Sequence, residues 1–357
     1  MEAKGLFNVA RKEFIDHLTS RKIILILALF LIVSAIAMHQ GIGDYNKRLE
    51  SYKEQISQVG EEEEGFHPMP RKPSILFIFQ RMRGLMPFLG AILAIAMGFD
   101  LITREKERGS LKSLLSHPVY RDEIINGKAV GGILAIVFAV GIAFIILFAM
   151  LLLFSIVPDL DEFWRIVLFG AVTVLCLLSY FSIALMASTV SKDSGRALMY
   201  ALIIVLALSF AMPMIGGMVV KGVVGEPPER PVIQSRIEIN EYGEFVGHIE
   251  PMNKEEEEEW ERYSEELKAY SEKKWAIQDA FEIFSPDSNY MAVSISLTNP
   301  YLKVVHGGSW SSSYTPGDTT SIQESLEKVW KSILALIILP VVFFAIAYIK
   351  FMRMDIR

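Results

Sequence analysis

Six long apolar runs constrain the fold of this chain more than any other feature of its sequence. Polar segments separate the runs, and most of the apolar residues, which make up 52% of the chain, lie within them. About 20 apolar residues in a helix match the ~30 Å hydrocarbon core of a bilayer. The pattern therefore predicts an all-α integral membrane protein with six transmembrane helices. The predicted spans are residues 23–38, 85–102, 129–157, 164–190, 197–220 and 329–349.

The distribution of lysine and arginine predicts the orientation of these spans. The four segments 1–22, 103–128, 191–196 and 350–357 hold 16 of the 35 basic residues within only 62 residues. Segment 222–328, by contrast, has 21 acidic and 9 basic residues. Basic residues close to span ends mark the cytoplasmic side, and the four basic segments share one side of a chain with six spans. We therefore expect a multi-pass protein of the cytoplasmic (plasma) membrane with both termini in the cytoplasm.

The polar segments divide the chain further. Residues 1–22 carry apolar side chains at helical spacing beside several cations, which predicts an amphipathic helix in the inner membrane interface. A cytoplasmic helix packed on a partner protein is the alternative. Residues 23–220 hold the first five spans, with an external loop at 40–84 and a cytoplasmic coupling segment at 103–128. Residues 329–357 hold the sixth span and a basic cytoplasmic tail.

The longest polar segment, 221–328, is predicted to form a small α+β external cap between the fifth and sixth helices. Two β-favouring stretches, 232–239 and 244–249, flank a turn-forming stretch at 240–243, a pattern typical of a β-hairpin. Residues 253–284 are highly charged and favour a helix.

Motifs for enzymatic chemistry and nucleotide binding are absent from the sequence. There is no GxxxxGK[ST] sequence, the loop whose backbone amides and lysine bind nucleotide phosphates. H-E-x-x-H, G-x-S-x-G and clusters of histidine and cysteine are absent too. We therefore expect no enzyme activity, no metal site, no directly bound cofactor and no nucleic-acid partner. Any ATP hydrolysis would belong to a partner chain.

A few residues within the spans invite a functional interpretation. Asp100, near the end of the second span, is expected to pair with Arg104 one turn further on rather than to mark a transport path. Met212, Met214 and Met218 would suit Cu(I). Methionine is also a common packing residue, and no cysteine lies beside them in the sequence, so we interpret these three as packing residues.

The segment after the second span carries the most specific pattern. A run of alternating acidic and basic residues ends at Gly109, and a short helix is predicted to follow, which Pro118 ends. The apolar face of that helix consists of Leu111, Leu114 and Leu115. A small apolar surface ringed by charges and held between two membrane helices suits docking into a groove of a cytoplasmic partner. A membrane-surface helix with snorkelling lysines and arginines is the alternative.

This segment resembles the corresponding region of the ABC-2 type transporter permeases, the transmembrane subunits of ABC exporters. In that family the second span is followed by an acidic-basic run, Gly-Thr-Leu, a Leu-Leu pair, a proline, an arginine and Gly-Lys. The matching residues are Glu105, Glu107, Gly109, Leu111, Leu114, Leu115, Pro118, Arg121, Gly127 and Lys128. Ser110 stands where threonine is usual, and the insertion at 221–328 departs from the smallest family members. The resemblance therefore leaves the substrate unknown.

The resemblance implies a permease subunit of an ATP-binding-cassette exporter that moves an unidentified substrate. Its partners would be a separate ABC ATPase subunit, which binds ATP and Mg, and a second permease, either another copy or a homologue. Residues 105–121 would contact the ATPase. The coupling residues implied are Arg104, Glu105, Glu107, Arg108, Gly109, Leu111, Leu114, Leu115, Pro118 and Arg121. The alternative from another class is a membrane-anchored external sensor or scaffold without transport activity.

Overall fold

The computed structural model describes five long stretches of the chain and four short strands. The described residues are 4–59, 72–109, 120–231, 238–239, 245–246, 254–299, 304–306, 309–311 and 320–354. In chain order the helices are α1 (Lys4–Thr19), α2 (Arg21–Val59), α3 (Phe79–Gly98), α4 (Thr103–Glu107), α5 (Arg121–Leu153), α6 (Leu160–Val190), α7 (Ser194–Leu206), α8 (Met212–Val223), α9 (Lys254–Glu282), α10 (Pro286–Thr298), α11 (Ile322–Lys328) and α12 (Trp330–Met352). The strands are β1 (Glu238–Ile239), β2 (Phe245–Val246), β3 (Val304–His306) and β4 (Ser309–Ser311).

In the part of the chain that the structure describes, six helical stretches are long and apolar enough to cross a membrane, and they correspond one to one to the six predicted runs. The prediction of an all-α membrane protein with six transmembrane helices is confirmed. The second stretch, Ile75–Glu107, contains a 3-10 turn, α3 and α4, and the fifth, Ser194–Val223, contains α7, a π-helical turn and α8. The other four stretches lie in α2, α5, α6 and α12.

Helix α2 continues beyond its apolar run into the predicted external loop at 40–84. Its described part reaches Val59, and the next described helical turn begins at Ile75. The added turns are rich in lysine, arginine, glutamate and glutamine, which favour a helix in water as well as apolar residues do. The first part of this segment is therefore an extension of the span.

A π-helical turn at Ala207–Ala211 separates the two halves of the fifth span. Pro213 follows as the second residue of α8. A proline donates no backbone hydrogen bond, and its ring clashes with the carbonyl four residues earlier, here that of Ser209. Local π-helical adjustments of this kind are a common accommodation of proline in membrane helices.

The bundle core is built around α6, which contacts α3, α10 and α12. Phe169, Cys176 and Tyr180 of α6 are fully buried. The apolar window of α6 is 61% buried, whereas that of the fifth span is only 6% buried. The fifth span therefore leaves most of its apolar surface to lipid or to another subunit.

The single α+β cap predicted for 221–328 is not supported. The described chain divides into one unit of Met212–Glu282 and a second of Met1–Ala211 with Ile283–Arg357. Among the described residues, strands are restricted to two short antiparallel pairs, β1 with β2 and β3 with β4. Most residues of the predicted β-hairpin lie outside the described part of the chain. The predicted charged helix at 253–284 is present as α9, which packs on α8.

Helix α10 explains why the cap prediction fails. This helix packs against α3, α6 and α12 of the bundle, and nearly all of its side chains are buried. Its serines and asparagine give it a polar composition, but several of them form hydrogen bonds within the protein: Asn289 donates to the carbonyls of Ile283 and Ser285, and Ser296 donates to that of Ser325. Polar residues can be buried when they form hydrogen bonds within the protein. A polar composition alone therefore does not distinguish a buried helix such as α10 from a surface helix.

Candidate functional site

The short helix α4 begins the predicted coupling segment and is anchored where α6 ends. The backbone N–H groups of Ile102 and Thr103 both donate to the Ser188 hydroxyl, over 3.0 and 3.1 Å. Thr103 is completely buried, and its hydroxyl also lies 3.0 Å from that of Ser194 in α7. The start of α4 is thus fixed to α6 and α7.

Lys106 caps the carboxyl end of α6. Its ammonium group donates to the carbonyl oxygens of Thr189 and Ser191, both over 2.9 Å, and to that of Ser188 over 3.4 Å. The last carbonyls of a helix lack partners within the helix and form its negative end. A cation at this position satisfies both the hydrogen bonds and the charge.

Glu107, the next residue, binds the amino end of α7, the helix that follows α6. Its Oε1 accepts a hydrogen bond of 2.6 Å from the backbone N–H of Ser194, the first residue of α7. Asp193 caps the same end by accepting from the N–H of Arg196. Carboxylates stabilise the positive end of a helix. Lys106 and Glu107 together hold the turn between α6 and α7.

Glu105 belongs to a buried ion triad. The Lys128 ammonium lies 2.8 Å from Glu105 and 2.5 Å from Glu13 of α1. The side chains of Lys128 and Glu13 are 1% and 3% exposed. Removing one member of a buried ion pair leaves an uncompensated charge in a low-dielectric environment. The triad therefore ties α1, α4 and α5 to one another.

Two glycines let α1 lie directly on α5. A Cβ at Gly127 would lie 2.7 Å from the Val9 side chain, and one at Gly131 would lie 2.7 Å from the Cβ of Glu13. Residues four apart share one face of a helix, so the two glycines form a strip without side chains on the surface of α5, here called the glycine strip. Gly127 provides the close approach, and Lys128 beside it reaches the carboxylate of α1.

The buried side of α1 also contains His17. Burial lowers the pKa of its imidazole, and its Nε2 has no hydrogen-bond partner among the described residues. A neutral imidazole next to the triad adds no charge to it. Residues 4–19 thus form the predicted N-terminal helix, with one face packed on α5 of the same chain.

Asp100 does not form the predicted pair with Arg104. Its carboxylate lies 3.4 Å from the ammonium of Lys22 at the start of α2, and that ammonium also lies 4.0 Å from the centre of the Phe99 ring. Arg104 is one helical turn away in the sequence, but the tertiary structure places Lys22, from another helix, next to the Asp100 carboxylate. Asp100 therefore links the first and second spans.

The remaining predicted coupling residues have varied surroundings. Arg121 donates to the carbonyls of Met352 and Met354 over 3.2 and 3.0 Å, so it caps the end of α12. Arg104 is half-buried and Arg108 exposed. Gly109 has a φ of +67°, a left-handed conformation that favours glycine, where the chain turns after α4. Leu111, Leu114, Leu115 and Pro118 lie outside the described residues.

Sequence reasoning missed three of these features. Lys106 was treated as one charge among several, although a lysine facing the end of another helix is a capping group. Ser188 carried no signal at all. Glu13 lies on the apolar side of α1, and a charge at such a position in a helical pattern was the available clue.

A second polar centre, also missed, lies at the opposite end of α6. Arg165 is 1% exposed and pairs with Asp161 over 2.6 Å. It also donates to the carbonyls of Leu297 and Thr320 and to the hydroxyl of Ser325. It thus joins α6 to the end of α10 and the start of α11. Within the described stretches, no group of three or more His, Cys, Asp or Glu side chains is placed to hold a metal ion.

Comparison with known proteins places the chain in a family. The profile of the ABC-2 family transporter proteins matches residues 7–356. A protein of Stutzerimonas stutzeri described as a probable ABC transporter permease protein NosY is 30% identical over 139 residues, 39% of this chain and 42% of that relative. A protein of the same description from Pseudomonas aeruginosa is 28% identical over 156 residues, 44% of this chain and 48% of the relative. The chain thus spans less than half the length of these curated relatives. The family match covers all six spans, and the chain belongs to the ABC-2 family of transporter proteins.

Proposed function

We propose that the chain is the permease subunit of an ATP-binding-cassette exporter, driven by a separate ATPase subunit. The family match and the two relatives described as permeases support this proposal. The permease itself would be non-catalytic, and ATP and Mg would bind to the partner ATPase. A second copy of the chain or a homologous permease would complete the transporter, with the largely exposed fifth span available as contact surface. The substrate is left open.

One observation carries the mechanism: three consecutive residues of α4 bind three different parts of the bundle. Glu105 is bound through Lys128 to α5 and α1, Lys106 to the end of α6, and Glu107 to the start of α7. A displacement of the segment after Gly109 would therefore be passed to all four helices at once. This arrangement suits an element that transmits movement from an ATPase into the membrane.

The proposed orientation has both termini in the cytoplasm. Helices α1 and α4, the start of α5 and the end of α12 are linked at one end of the bundle by the contacts of Lys128 and Arg121. These are also the segments in which lysine and arginine are concentrated. Basic flanks favour the cytoplasmic side, so the predicted ATPase-binding segment would face the cytoplasm.

Co-purification tests the proposal. The tagged full-length chain, purified from its native membrane, is expected to bring down a P-loop ATPase whose activity vanadate inhibits. Leu114→Asp should abolish the association, because charging a buried interface anchor commonly weakens binding by about 2 kcal/mol or more, ~30-fold. Ser113→Asp adds the same charge on the predicted opposite face and serves as the control. A preparation without nucleotide-dependent activity would favour the sensor or scaffold alternative.

A further inference from the structure

His17 is buried in the contact between α1 and the rest of the bundle. It lies in the last turn of α1, one turn after Glu13, and its side chain is 6% exposed. On the same helix, Phe14 packs edge-on against Phe138 of α5, with ring centres 5.9 Å apart. The Nε2 atom of His17 has no hydrogen-bond partner among the described residues. Since buried polar groups in proteins are nearly always hydrogen-bonded, this ring nitrogen is an exception that needs an explanation.

The imidazole lies among charged side chains from three parts of the bundle. Those that act on it electrostatically are two carboxylates and two cations: Glu13 of α1, Lys128 of α5, and Asp100 and Arg104 of the stretch Ile75–Glu107. Helix α2 also contacts α1 and begins with Arg21 and Lys22, both exposed. Because the two signs around His17 oppose each other, its burial decides which form of the imidazole is favoured.

Both carboxylates near His17 already have a cation of their own. Glu13 accepts a hydrogen bond from the Lys128 ammonium, and Asp100 lies 3.4 Å from that of Lys22. A proton on the imidazole would therefore create a buried cation without a carboxylate of its own, which is costly. Burial accordingly lowers the pKa of His17; the two carboxylates oppose this effect, and the two cations add to it. While α1 is packed on α5, the imidazole is kept neutral.

We propose that protonation of His17 releases α1 from α5, which makes this contact sensitive to acid. Once α1 has left the bundle, the imidazole is hydrated and takes up its proton at the usual pH of ~6.5. The packed state binds that proton only at a lower pH. The contact is therefore at full strength above pH ~6.5, and it weakens as the pH falls below this value.

Release of α1 would reach the coupling segment through the buried triad. Glu13 of α1 and Glu105 of α4 share the Lys128 ammonium, so the departure of α1 would change the contacts that hold α4. Under the proposed function and orientation, acidification of the cytoplasm would thus loosen the start of the ATPase-binding segment. This consequence rests on the proposed function, whereas the release itself does not.

Limited proteolysis of the purified full-length chain tests the release. Papain is active at both ends of the range, and the rate of its cleavage within α1 is divided by the rate at an unstructured C-terminal tag. Cleavage follows the population of the released state when release and return are fast. Between pH ~7.5 and ~5.5 the relative rate should rise by up to about 10-fold, the limit for one group that takes up its proton at ~6.5. The measurement needs neither an ATPase nor a substrate, so its outcome is independent of the co-purification that tests the proposed function.

Variants assign the response to His17. His17→Gln keeps a neutral polar side chain at every pH, so its relative rate should be the same at both pH values. His39→Gln removes an exposed histidine of α2 and should keep the wild-type response. If His17→Gln fails to fold, His17→Phe, which places an uncharged ring at the same position, replaces it. A wild-type rate that does not change with pH, or a response that the folded His17 variant retains, would overturn the proposal.

Discussion

Lys106 and Glu107 are neighbours in sequence, yet they bind opposite ends of two successive helices. The Lys106 ammonium lies 2.9 Å from the carbonyl of Thr189, and the Glu107 carboxylate lies 2.6 Å from the N–H of Ser194. Each side chain carries the charge that complements the helix end it meets. A relative movement of α4 against this turn would break both contacts together.

The first prediction concerns Lys106. Lys106→Met should lower the free energy of unfolding by about 2 kcal/mol, since hydrogen bonds from a charged group to the α6 carbonyls are lost. Thermal unfolding of the purified chain measures this, and the ATPase activity of the co-purified complex measures uncoupling. Lys192→Met, an exposed lysine in the same turn, is the control. Equal stability of both variants would show that the contacts of Lys106 with the end of α6 contribute nothing to the stability of the fold.

The second prediction concerns the buried triad. Lys128→Met should destabilise the chain by about 3–5 kcal/mol, because the carboxylates of Glu13 and Glu105 stay buried without their counter-ion. The double variant with Glu13→Gln should recover part of this loss. Unfolding in detergent and the yield of inserted protein provide the measurement. Lys12→Met, at an exposed position next to Glu13, should behave as the wild type does.

The third prediction uses two glycines of one helix. Gly131→Ala should destabilise the contact between α1 and α5 by about 1–3 kcal/mol, because the new methyl group would lie 2.8 Å from the carbonyl of Ala10. Gly141→Ala meets nothing within 4 Å and should be neutral or slightly stabilising, since alanine favours helices more than glycine does. Limited proteolysis after α1 and thermal unfolding distinguish the two. The opposite order of stability would argue against the close helix contact.

The fourth prediction concerns membrane topology. Single cysteines at Ser57 and Ser271, introduced with Cys176→Ser, should react with an impermeant thiol reagent in intact cells. A cysteine at Ser113 should react only after the membrane is opened. The basis is the asymmetry of basic residues. Labelling of Ser113 alone in intact cells would invert the proposed orientation.

Hydropathy predicted the spans because a lipid-facing helix must be apolar over its exposed surface. It did not predict α10, whose surroundings are protein. Tyr290 shows the difference: it is fully buried, its hydroxyl lies 3.4 Å from that of Thr173, and its ring lies 6.1 Å from that of Phe169. Nothing local in the sequence reports such partners, which come from a helix more than a hundred residues earlier.

The coupling segment was predictable in part. The family-like pattern directed attention to Glu105, Glu107 and Arg121, and the structure shows that each of them binds other parts of this chain. Their predicted contacts with an ATPase stay a prediction. The packing of helices that are distant in sequence decides which charged side chains form contacts within the subunit. The local sequence pattern of the coupling segment carries no information about that packing.

The contact between α1 and α5 has a consequence for biosynthesis. Glu13 and its ammonium partner are 115 residues apart in the chain, so α1 leaves the ribosome long before the glycine strip and Lys128 have been made. During that interval the Glu13 carboxylate must be hydrated, and the apolar face of α1 has no protein surface to cover it. Helix α1 therefore docks only after the start of the third span has been made, and in a nascent chain cut before Gly131 α1 should be open to proteases.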